Sequence, residues 1–201
     1  NSSNGLWLAG WPDQARARLQ TSLSWAKELG HSFSLAYALI LGTSVLLWCG
    51  DLDDAEGLIA EGEQIGAEYN GMVFRVGGGV LRACLQAHRG EAEGELELIT
   101  KRLSQYRSMG MRHLLSLYFC FVTEAYRRMG RVEEGLATLT DAMHLTESGV
   151  DLFWAAEVYR LKGELTLRRE NQKAKVKNHK SKGKGEKKLS VLRRQFSVPN
   201  P

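Results

Sequence analysis

The sequence predicts an all-α fold of antiparallel helix pairs repeating every forty residues, and three observations predict it. Gly10, Gly50, Gly90 and Gly130 stand at an unbroken spacing of forty. A column of small residues, Thr43, Ala83, Thr123 and Gly163, keeps the same period. It lies between the apolar columns Leu41, Leu81, Phe121, Leu161 and Val45, Leu85, Ala125, Leu165, which are four residues apart and share one helical face. Acids follow each turn glycine: Asp13 behind Pro12, then Asp51, Asp53 and Asp54, Glu91 and Glu93, and Glu133 and Glu134. Carboxylates in a first helical turn complement the helix dipole by about 0.3–1 kcal/mol each.

Taken in order, the elements have local causes. A glycine closing the first helix of each unit reaches the left-handed conformation at no cost in sterics, and Pro12 sits where a helix start tolerates it. Leu19, Ile59, Ile99 and Leu139, nine residues after each glycine, give the second helix its apolar face. That helix closes near Gly30, Asn70-Gly71, Gly110 and Gly149. Helices are therefore predicted over 12–29, 33–49, 52–69, 73–89, 92–108, 112–129, 132–148 and 152–169.

Composition bounds the rest. Of 201 residues 43% are apolar and 25% charged, with three prolines, which suits one helix-rich unit with a sizeable core. No secretory leader is recognised in the first residues and no stretch is read as a membrane span, so a cytoplasmic address with no membrane partner is expected. Cys49, Cys84 and Cys120 lie singly in apolar helical patterns and read as reduced core thiols. The net charge of +4 hides an asymmetry. Residues 1–170 hold 17 basic against 22 acidic side chains, whereas residues 171–201 hold 10 against 1. With lysines at 173, 175, 177, 180, 182, 184, 187 and 188 and few apolar residues, 171–201 is predicted to be a disordered tail. Its two readings are a solvated terminus and a tether for nucleic acid or another acidic surface. The absence of stacking aromatics among the lysines favours the first.

The residues then resemble a family. Thr43, Gly50 and Ala55 match the small, Gly and Ala positions of the tetratricopeptide repeat, and Gly10 and Ala15 match in the first unit; Glu95 and Gly135 depart from the Ala position. The forty-residue period exceeds the usual thirty-four. Phrases such as Gly10-Trp11-Pro12-Asp13-Gln14-Ala15 and Glu157-Val158-Tyr159-Arg160-Leu161 look like the C-terminal repeats of bacterial multidomain adenylate-cyclase/AAA-ATPase or LuxR-type (MalT-like) regulators. The resemblance spans roughly residues 6–170 and implies a right-handed superhelix that binds protein or peptide. Forty-residue HEAT arrays share the period, and the Gly-then-acid turn favours the tetratricopeptide kind.

The ends point the same way. Only a few residues precede Gly10, and Glu170 occupies the position of a turn glycine, so the chain reads as a piece of a larger protein. Its partners would then include its own N-terminal domains, and exposed terminal repeats would permit a dimer.

Candidate chemistry fails on its own requirements. Gly77-Gly78-Gly79 lacks the Lys-Ser/Thr and the preceding strand of a phosphate loop, and reads as a place where a helix packs closely. Asp51-Leu52-Asp53-Asp54 lacks the glycine and the closing Glu of a calcium loop. Cys84 and His88 share a helical face without a second pair of metal ligands. No catalytic, cofactor or metal residues are assigned, and an interaction scaffold rather than an enzyme is expected, with an effector- or peptide-sensing regulatory module as the alternative. In the resemblance, the first helices of the pairs line a concave groove. Carried over by position, that groove holds Tyr37, Ser44, Trp48, His88, Glu124, Arg127, Glu157 and Arg160, a mixture of aromatics and charges suited to a polypeptide. The competing reading packs Tyr37 and Trp48 between units and leaves the charges in solvent.

Overall fold

The computed structural model describes residues 2–68, 72–110, 112 and 114–195 and is helical throughout, with turns between. The helices are α1 (Ser2–Leu8), α2 (Pro12–Glu28), α3 (Ser32–Cys49), α4 (Leu52–Glu68), α5 (Met72–Arg89), α6 (Glu93–Ser108), α7 (Leu115–Arg128), α8 (Val132–Glu147) and α9 (Ala155–Gln195). The predicted all-α fold is what forms. The expected helix end at Asn70-Gly71 lies outside the described residues, as do 196–201.

The glycines act as the period requires. At Gly50 the backbone turns to φ 82°, and its N–H and that of Asp51 return to carbonyls of α3, with Asp51 N to Leu46 O at 3.0 Å. Such a left-handed closure satisfies the last carbonyls of a helix, and it strains any residue that carries a Cβ. Gly10, Gly30, Gly90, Gly110, Gly130 and Gly149 share this positive φ.

Packing follows the alternation of helices. Each odd-numbered helix packs against the even-numbered helix that follows it, against the one that precedes it, and against its odd-numbered neighbours. The apolar columns thereby meet in one core: Leu41, Val45, Leu81, Leu85, Phe121, Ala125, Leu161 and Leu165 are all buried. The short α1 takes the place of an odd helix, and its buried Asn4 donates to Ser44 Oγ, forty residues on, at 2.8 Å.

Two expectations are corrected. Ser32–Cys49 carries no charge, is 18 residues long and has a mean hydropathy of 1.7, so α3 is long and apolar enough to cross a membrane. In this fold more than half of that helix is buried among α1, α2, α4 and α5, and a helix apolar all round is what such enclosure selects. Second, α7 begins at Leu115 rather than 112, because Leu114 takes a left-handed backbone (φ 57°) that cannot sit within a helix. The last helix, α9, runs through Gln195 and is anchored by the buried Val158, Leu161 and Leu165.

The glycine run in α5 does admit close neighbours. A Cβ on Gly77 would stand 2.6 Å from Tyr118 Oη and 3.2 Å from Ile40 Cδ1, and one on Gly78 would stand 2.9 Å from Glu63 Cγ. The absence of a Cβ at both positions lets α3, α4 and α7 crowd onto α5.

Candidate polypeptide-binding groove

The odd-numbered helices bring residues of five units to one pocket of about 320 Å³. Trp7, Trp48, His88, Glu124, Arg127, Arg128 and Arg160 line it, with Leu47, Cys84 and Phe121 at its base. Its apolar wall is a stack. Trp48 lies between Trp7, at 4.3 Å and 20° between planes, and Phe121, at 5.1 Å and 12°, and Trp154 leans on it at 5.7 Å. Offset stacks of this kind contribute about 0.5–1.5 kcal/mol per pair beyond the area they bury, and this one ties α1, α3 and α7 together.

The polar wall is a network in which each carboxylate is gripped by a guanidinium. Arg127 donates from Nε and Nη2 to the two oxygens of Glu124, both at 2.6 Å, and from Nη1 to Glu164 at 2.6 Å. Arg160 holds Glu157 in the same way with two bonds of 2.7 Å, and reaches Glu164 at 2.9 Å. Arg128 adds a contact of 2.8 Å to Glu124. Forked Arg–carboxylate pairs fix geometry as well as charge. Glu124 is 8% exposed and Glu157 3%, so these are partners inside the structure and not solvated charges.

Electrostatics sort the titratable groups. Burial works to raise the Glu124 carboxyl, but the bonds from Arg127 and the field of Arg128 outweigh it and hold the group below the usual range. Burial pushes His88 down to about 4, and the Arg128 charge adds to the effect. The imidazole is therefore neutral near pH 7. Burial raises the Cys84 thiol to about 12 and Cys120 well above its ordinary value, so both are thiols rather than thiolates. Among the described residues no three His, Cys, Asp or Glu side chains stand together as metal ligands.

Of the groove positions expected from the sequence, Trp48, His88, Glu124, Arg127 and Arg160 line the pocket, and Glu157 supports it through Arg160. Two do not belong. Ser44 is fully buried beneath Asn4. Tyr37 is half-buried among core residues, where burial raises its hydroxyl pKa and its field reaches Tyr106 and Tyr118. Register alone would have found several missed residues. Cys84 stands forty residues after Ser44 and forty before Glu124, Arg128 stands forty after His88, and Trp7 stands forty before Leu47. Nothing in the sequence signalled Trp154, which reaches the stack from the turn before α9.

Comparison of the chain with family models, with curated proteins and with solved structures finds no match.

Proposed function

We propose that the chain is a tetratricopeptide-like array, a right-handed superhelix whose odd-numbered helices form the concave side, and that it serves as a protein-interaction scaffold within a larger bacterial signalling ATPase or nucleotide cyclase. The observation that carries the reading is the convergence of Trp48, His88, Glu124, Arg127 and Arg160, drawn from separate repeats, on one pocket with an aromatic wall and a forked ionic wall. Interfaces concentrate binding energy in aromatic and Arg side chains at a desolvated centre, and this pocket supplies both. Pre-paired guanidiniums favour a polypeptide over a simple ion. The forks are already ordered, so an incoming carboxylate or backbone carbonyl exchanges partners without first ordering the arginines.

Selection from a displayed library of random twelve-residue peptides tests this reading. Peptides enriched on the chain are expected to lose about tenfold or more in affinity on Trp48→Ala and on Arg127→Gln, the loss typical of a hot-spot residue. Equal binding to both variants, or no enrichment at all, rejects the groove as the contact surface.

A further inference from the structure

A second and larger cavity, of about 820 Å³, opens on the other side of the molecule between the even-numbered helices α4 and α6, with α5 as its floor. The forty-residue register shows why it exists at this junction. In the second unit Leu39 of α3 is fully buried and packs on α4, its Cβ 3.4 Å from where a Cβ on Gly62 would stand. In the fourth unit the same two register positions hold Phe119 and Ala142, both buried. The third unit reverses the pair, with Gly79 where its neighbours have Leu or Phe and Arg102 where they have Gly or Ala. The large side chain at this position is gone. Ile99 closes on the glycine from α6, its Cδ1 3.0 Å from the point where a Cβ on Gly79 would stand, and the Arg102 Nη1 lies 3.8 Å from the same point.

Two further substitutions act in the same direction. Arg75 replaces Leu35 and Leu115 of the neighbouring units, and Arg82 replaces Gly42 and Val122, so three arginines surround Gly79. The staple between even helices is also missing here. Lys27 pairs with Glu61 across α2 and α4 at 3.2 Å, and Arg107 pairs with Asp141 across α6 and α8. At the middle junction those positions are Ala67 and Lys101, and no ion pair joins α4 to α6 among the described residues. Two carboxylates, Glu63 and Glu95, face the three arginines of the cavity; Glu63 is taken by Arg82 and the field of Glu95 also acts on Arg82, whereas Arg75 and Arg102 enter no ion pair among the described residues. The apolar lining is Phe74, Val76 and Ile99, all buried, with the half-exposed Leu98.

From the reversed size pair, the absent staple and the unmatched guanidiniums, we infer that this cavity is a binding site for a small organic anion, with the apolar body on Phe74, Val76, Leu98 and Ile99 and a carboxylate or phosphate held by Arg75 and Arg102. The volume is that of ordinary small-molecule pockets, which reach ~1,000 Å³. An apolar floor alone would take any apolar guest, and the excess of guanidinium selects an anionic one. The site is separate from the groove of the odd-numbered helices, and the two stand or fall independently.

The probe is 8-anilinonaphthalene-1-sulfonate, an apolar anion whose fluorescence rises on burial, titrated into the full chain and then displaced. Saturable binding at one site is expected. Decanoate and decyl phosphate should displace the probe, and the more effective of the two identifies the head group. Decyltrimethylammonium and inorganic phosphate should not displace it. Arg102→Gln should weaken the probe roughly tenfold, as loss of a charged hydrogen-bond donor does. The double variant Gly79→Leu/Arg102→Ala copies the filled pair of the second and fourth units. It should abolish binding while still unfolding in a single cooperative transition, with Ile99 shifting to admit the new side chain. Lack of saturable binding to the parent, displacement by the cationic amphiphile as readily as by the anions, or undiminished binding to a folded double variant would each overturn the assignment.

Discussion

The third and fourth units share a forty-residue template and differ in how they fill it. In the fourth, every residue of α7 from Leu115 to Tyr126 is buried, and so is Ala142 of α8 at the position paired in register with Phe119. In the third, α5 carries Gly77, Gly78 and Gly79, and a cavity of about 820 Å³ stands where the fourth unit is solid. The closing turns are alike in both, Gly90 and Gly130 following α5 and α7 with φ near 83° and 72°, although α7 starts three residues later in register, behind the left-handed Leu114. The period therefore specifies the helices, and side-chain size at paired positions decides whether a junction is packed or open.

The sharpest way to break this contrast is to empty the filled unit. Phe119→Ala should cost about 3–5 kcal/mol, the loss typical of a large buried ring whose space only partly collapses, read as a drop in the urea midpoint with an unchanged slope. If the cost is under 1 kcal/mol, the fourth unit is no better packed than the third and the comparison fails.

A smaller effect belongs to His88, which links the two units across the groove beside Arg127 and Arg128. Its folded pKa, about 4, lies below the ordinary value of 6.5, so the unfolded chain binds the proton more readily. The contribution to stability is complete above pH 6.5 and is lost as pH falls toward 4. Glu124 is also held below its ordinary value, so its stabilisation is present above the usual carboxylate pKa and fades as pH falls through the lower folded value. Partial exposure of the imidazole keeps its share well below that of Phe119. The parent should lose melting temperature relative to His88→Gln as pH falls from 6.5 toward 4, because the variant has no imidazole to protonate. Parallel curves across that range would show that the imidazole is not neutralised by burial.

How far the sequence foretold this molecule follows from the same distinction. Helices and turns were legible because Gly10, Gly50, Gly90 and Gly130 and the columns around them depend on local backbone chemistry, which a single chain displays. The core followed, since Leu41, Leu81, Phe121 and Leu161 share a face by period alone. The lining of the smaller pocket was legible in part. Trp48, His88, Glu124, Arg127 and Arg160 share it as their register places them, whereas Ser44 is covered by Asn4 and Tyr37 is half-buried against the core, outcomes that depend on what packs opposite. The cavity was invisible for that reason. Gly79 reads as a weak helix residue until Leu39 and Phe119 are seen to fill the equivalent space.

The finest test of the contrast concerns the staples between even-numbered helices. Ala67→Arg with Lys101→Asp would install at the middle junction the pair that Arg107 and Asp141 form at the next one. Arg107 and Asp141 are half and one-third exposed, so a pair of this kind gains no more than about 1 kcal/mol and weakens with added salt. The expected result is a small rise in melting temperature that disappears near 1 M salt, together with slower amide exchange in α6 than in the parent. A double-mutant cycle isolates the pair, because Ala67→Arg alone adds a cation beside Lys101 and should not stabilise. If the two changes prove strictly additive, the helices are too far apart for the pair to close, and the seam is open because of the backbone rather than because of the side chains at its edge.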